Sequence, residues 1–113
     1  MPGPAQLRAR IRALQLRRRS LESQLLQPQQ MIAASLLERF LGSGSRRRSA
    51  PAYYLSRSQQ GRSQLGYVRQ QDLAAVRRQC QAYRVFRQNL REWRRLGREL
   101  ERLWQGLRAA QSG

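Results

Sequence analysis

Catalytic chemistry has little to work with in this chain. Apart from arginine and tyrosine, its ionisable side chains are Glu22, Glu38, Asp72, Glu92, Glu99, Glu101 and Cys80, and it has no histidine or lysine. General acid–base catalysis needs groups that converge on one reacting bond, and a metal needs several ligands at a recognisable spacing. The six acids form neither pattern. Cys80 has no neighbouring base to make it a nucleophile, and a lone cysteine cannot close an internal disulfide. It falls at an apolar position of a helical pattern, where a free thiol behaves as a small buried hydrophobe. A non-enzymatic protein is therefore expected, with no cofactor and no metal. Glu99, one turn from both Arg95 and Arg102, reads as a surface charge partner.

Charge is what the chain has in quantity. It carries 23 basic residues, all arginine, against 6 acids, for a net +17 on 113 residues. Such a balance favours binding to a polyanion and costs self-repulsion in the free compact state. A GC-rich genome would enrich Arg over Lys without functional pressure, so the argument rests on net charge. Arginine nevertheless brings a planar fork that engages phosphate with two donors. The candidate nucleic-acid contacts are Arg46, Arg47 and Arg48, then Arg57, Arg62 and Arg69, then Arg77, Arg78, Arg84 and Arg87, together with Tyr53. Phosphate contacts position a protein without reading bases. Tyr53, Tyr54 and Tyr67 have two uses open to them, stacking on unpaired bases and packing a small sheet.

These residues must be positioned by four segments. Leu7, Ile11, Leu14, Leu21 and Leu25 recur in steps of three and four, with Arg18 at the place where another apolar residue is due. That spacing predicts a helix over 5–27, stopped by Pro28. The run MIAASLLERF is short and does not alternate cleanly, so periodicity leaves it between strand and helix. GSGSRRRSAP follows as a flexible basic loop over 42–52. AYYLSRSQQGRSQLGYV then reads as a hairpin, with Gly61 suited to a positive φ in the turn and Tyr54 and Tyr67 on related faces.

From Asp72 to about residue 110 the period becomes helical again, with Asp72 as N-cap or first-turn acid. Apolar residues fall at Leu73, Val76, Cys80, Tyr83, Phe86, Leu90, Trp93, Leu100, Trp104 and Leu107, with Gly97 filling the remaining place. Two successive steps of three, at Cys80, Tyr83 and Phe86, shift the phase of the stripe, so the helix is expected to change packing partners there. At roughly 57 Å the helix exceeds what the first helix can cover, and its far end is expected to meet another chain or complete a bundle. Phe86, Leu90, Trp93, Leu100, Trp104 and Leu107 are the candidate protein interface, for a homodimer or a helical partner. Gly97 on this stripe permits close approach or a bend, or is a tolerated interior glycine costing about 1 kcal/mol.

Residues 31–96 also resemble a family of short bacterial and archaeal proteins of unknown function. The resemblance lies in Ser35-Leu36-Leu37-Glu38-Arg39-Phe40, Tyr53-Tyr54-Leu55-Ser56, Gly61-Arg62-Ser63 and Tyr67-Val68, in that order and ahead of a long charged helix. Members of the family carry a cysteine-rich loop able to hold zinc and are regarded as companions of mobile elements or as nucleic-acid binders. Here LGSGSRRRS replaces the cysteines, so metal binding does not carry over. The resemblance implies a strand for MIAASLLERF.

The fold expected is therefore α+β in a single small domain over 1–113: an N-terminal helix, a small antiparallel sheet within 31–70 made of the hairpin and a third strand, and a long C-terminal helix with a coiled-coil-like stripe. The function expected is non-enzymatic binding of DNA or RNA through arginine contacts to the backbone, in association with a mobile element. The alternative is a helical assembly or adaptor protein that binds a protein partner through the apolar stripe. The N-terminal MPGPAQLRAR lacks the apolar run of a signal peptide and no stretch is long enough to cross a membrane, which points to the cytoplasm.

Overall fold

The computed structural model describes residues 2–42, 44 and 50–112. Helix α1 spans Pro4–Leu25, strand β1 Ser35–Arg39, β2 Ala52–Gln59, β3 Arg62–Val68 and helix α2 Leu73–Gln111, with a 3₁₀ turn over Gln70–Asp72 leading into α2. The architecture is the expected one: a helix, a three-stranded antiparallel sheet in the order β1-β2-β3, and a long helix. The third strand is shorter than MIAASLLERF, because only Ser35–Arg39 finds partners on β2, from Ser56 to Ala52. The loop prediction over 42–52 falls largely on residues outside those described, Arg46, Arg47 and Arg48 among them.

Two compact units divide the chain. One comprises residues 1–28 and 86–113, the other residues 29–85, so α2 passes from one to the other between Val85 and Phe86. This is where the apolar stripe steps by three twice in succession, the phase change that predicted a change of partners.

In the helical unit, α1 starts with Pro4 at its first position, where a missing N–H costs nothing, and the Gly3 amide donates to Gln6 Oε1 at 3.2 Å. It runs antiparallel to the second part of α2: Arg8 donates to Gln111 at 2.6 Å and, at the other end, Asn89 to Gln24 at 3.2 Å. Between these ends Leu7, Ile11, Leu14 and Leu21 bury against Leu96, Leu100 and Leu107, with Trp93 and Leu103 packed alongside. The far end of α2 thus packs along α1 of the same chain, which leaves Trp104 exposed on its other side.

The seam also differs by one residue from its predicted course. Leu96 and Leu103 line it, not Gly97 and Trp104; Leu96 is only 1% exposed and Trp104 48%. Both choices preserve three-four spacing, and the difference is decided by Arg18. Its guanidinium carbon lies 4.0 Å from the centre of the Trp93 ring, and a Cβ on Gly97 would stand 2.8 Å from Arg18 Nη2. Gly97 therefore gives room to Arg18, the close-approach role, while Leu96 turns inward.

In the sheet unit, the β2–β3 hairpin turns on Gln60 and Gly61, whose φ angles of 51° and 77° are both left-handed. A two-residue turn with two positive φ values matches the twist of the flanking strands and fixes their register. Val68 and Leu73 are buried, and the Ile32 amide donates to the Gln79 carbonyl at 3.1 Å, tying the segment before β1 to the first turns of α2.

The seam can be tested by contrast. Leu96→Ala is expected to destabilise the chain by about 2–5 kcal/mol, the usual range for a buried leucine. Gly97→Ala exchanges a gain in helix propensity of about 1 kcal/mol for a cation–π contact of about 0.5–2 kcal/mol, and should change stability little while altering Trp93 fluorescence. Denaturant titrations of both variants check this.

Candidate functional site

The register of the sheet sorts its side chains onto two faces. Tyr53 pairs with Glu38 and Val68, and Tyr54 with Leu37 and Tyr67. Since neighbouring side chains alternate across a sheet, Leu36, Glu38, Tyr53, Leu55, Arg57, Arg62 and Val68 share one face. Leu37, Arg39, Ala52, Tyr54, Ser56, Leu65 and Tyr67 share the other.

The first face is turned to α2. Arg77 places its guanidinium 5.5 Å from the Tyr53 ring centre. Near them stands Cys80, a half-buried free thiol. Burial pushes its pKa above the ordinary value, and the charges of Arg57 and Arg84 oppose that shift in part. Tyr53, placed among the nucleic-acid contacts by the sequence, is thus engaged by the helix side of this unit.

The second face is open. Tyr67 is 66% exposed and Leu65 49%, while Tyr54 is half-buried with its ring centre 5.8 Å from that of Tyr67 in an edge contact. Arg39 pairs with Ala52 at the end of β1, in the rank beside the tyrosines, and Arg69 follows Val68 just beyond the end of β3 (φ −67°, ψ 146°). Tyr54 and Tyr67 share this face as their spacing predicted, whereas the rest of its membership escaped sequence reasoning because it follows from register. Gln60-Gly61 taken as a two-residue turn would have supplied it.

The remaining predicted arginines do not gather at one place. Arg78 and Arg84 are exposed on the part of α2 in the sheet unit, whereas Arg87 belongs to the helical unit. In that helical unit Arg91, Arg94, Arg95 and Arg98 line an open depression of about 510 Å³ with Gln88 and Glu92. Arg95 is tied there by two bonds to Glu92, at 2.7 and 3.0 Å, and a longer one of 3.4 Å to Glu99. The Arg95 hydrogen bond is the main cause that lowers the Glu92 pKa. Glu99 also takes Arg10 at 2.9 Å, a partner on α1 that spacing along α2 did not reveal.

Of the predicted protein interface, Leu100 and Leu107 are buried by α1, and Phe86, Leu90 and Trp93 are half-buried. Trp93 is held on two sides: Arg18 covers its ring, and its Nε1–H donates to Glu22 Oε1 at 2.8 Å. The buried Arg18 Nε has no hydrogen-bond partner. Trp104 lies exposed on a cleft of about 310 Å³ shared with Arg18, Arg19, Gly97 and Glu101. Sequence reasoning noted Arg18 as an interruption of one stripe and Gly97 as a point of close approach or a bend on the other, without pairing them; their position at one height of an antiparallel pair was the missing signal.

Among the described residues no group of three or more His, Cys, Asp or Glu could hold a metal ion, and no helix is long and apolar enough to cross a membrane. No protein-family model, curated protein or solved structure matches the chain.

Because its raised pKa leaves less thiolate, Cys80 should be alkylated by iodoacetamide at pH 8 more slowly than a small free thiol, and unfolding in urea should abolish the difference. Mass spectrometry over time checks the rate at this single cysteine.

Proposed function

We propose that this chain is a non-enzymatic assembly or adaptor protein that takes a protein partner on the part of the long-helix stripe left open by α1. The observation that carries this reading is Trp104, 48% exposed beside the cleft at Gly97. Aromatic side chains next to a recess are the usual anchors of protein interfaces. Phe86 and Leu90, on the same helix within the helical unit, are half-buried. Leu100, Leu107 and Trp93 drop out of the docking set, since packing inside the helical unit engages them.

Assembly of like-charged copies through apolar side chains should strengthen with added salt, which screens their repulsion. In sedimentation at micromolar concentration, mass is expected to rise with protein and salt concentration, and Trp104→Gln should return the chain to monomer. A monomer under every condition would overturn self-assembly.

Nucleic-acid binding is the second reading, favoured by the charge imbalance of the sheet unit, where ten arginines stand against Glu38 and Asp72 alone. Carboxylates of this unit cannot neutralise that excess, and phosphates can. Six phosphate contacts would give a salt slope of about −5 on a double-logarithmic plot with duplex DNA. A titration at two salt concentrations checks it; affinity absent at low salt, or equal at both, would remove this reading. The two roles have opposite salt dependence, use different units and can coexist, and a cytoplasmic location fits both.

A further inference from the structure

We propose that the open face of the sheet is a platform for single-stranded nucleic acid, on which Tyr54 and Tyr67 stack bases while Arg39 and Arg69 hold phosphates. The proposal rests on the nucleic-acid reading above and assigns it a site and a substrate class.

Three ranks cross this face. Arg39 and Ala52 form the first, with Arg69 immediately beyond the end of β3; Leu37, Tyr54 and Tyr67 form the second, and Ser35, Ser56 and Leu65 the third. Ranks two residues apart lie roughly 6.7 Å from each other along the strands, within reach of an arginine side chain on either side of a stacked base. Arg39 and Arg69 are both exposed at the strand ends.

The occupant follows from charge and from the rings. A second copy of this chain would set one arginine rank against another in a unit already strongly basic. A duplex keeps its bases stacked inside and presents none to Tyr67. A single strand supplies both unstacked bases and phosphates, and aromatic stacking on a basic surface is how such strands are held without sequence preference.

Fluorescence anisotropy with three probes of equal length tests the assignment: a labelled deoxythymidine oligomer, an abasic oligomer and a duplex. The wild-type chain should bind the deoxythymidine oligomer about tenfold or more tightly than the abasic one, given the usual worth of base stacking. Tyr67→Leu should erase most of that difference without changing abasic binding, and Tyr67→Phe should retain it. Arg69→Ala should weaken both single strands and reduce the salt slope by about one.

Equal affinity for oligomer and abasic strand in the wild type would overturn the platform while leaving polyanion binding intact. Binding to none of the three probes at low salt would overturn the platform and the nucleic-acid reading together. Because the decisive comparison uses wild-type protein, a fold defect in Tyr67→Leu does not obscure the outcome.

Discussion

An arginine in the apolar seam decides which residues of the long helix face α1. Arg18 occupies a seam position of α1, and a charge placed there must find compensation as water is withdrawn. Trp93 supplies a ring face, Gly97 supplies space, and Glu22, one turn along α1, accepts the indole N–H. A shift of α2 against α1 would bring Arg18 opposite a side chain in place of hydrogen. Leucine contacts alone tolerate such a shift, since one leucine packs much like another. The cluster therefore specifies alignment, and the leucines above and below it provide the stabilisation.

The sheet unit solves a different problem. Three strands and the first part of one helix cannot cover both sheet faces, so one face has α2 against it and the other meets solvent. Serines and arginines keep that outer face wetted around its two tyrosines, as expected of an antiparallel sheet packed on one side. Leu65 shares its rank with Ser35 and Ser56, and Arg39 flanks the rank of Leu37 and the tyrosines, which limits how far an uninterrupted apolar patch extends.

Much of this was legible in residue spacing. The two helices, the hairpin and the change of partners in α2 all follow from periods and breaks visible in single segments. What could not be read was which of two adjacent residues enters the seam. Leu96 and Gly97, like Leu103 and Trp104, both satisfy a three-four step, and only the arginine across the interface separates them. The face occupied by Tyr53 was hidden in the same way, since adjacent tyrosines point to opposite sides and register alone decides which one meets the helix. Arg46, Arg47 and Arg48 were plain as a basic cluster, but composition is the whole of what they offer.

The antiparallel pairing of α1 with the last part of α2 has a consequence for the order in which the chain is made. Residues 29–85 contain every partner the sheet unit needs, and its hairpin closes over a two-residue turn. Helix α1 is synthesised before its partners and finds Leu96, Leu100 and Leu107 only after some seventy further residues have been added. During that interval its leucine stripe is uncovered, a state in which nascent helices are open to non-native contacts. Its six arginines against a single acid, Glu22, give it a net positive charge, and like-charge repulsion opposes contact between such stripes on neighbouring nascent copies.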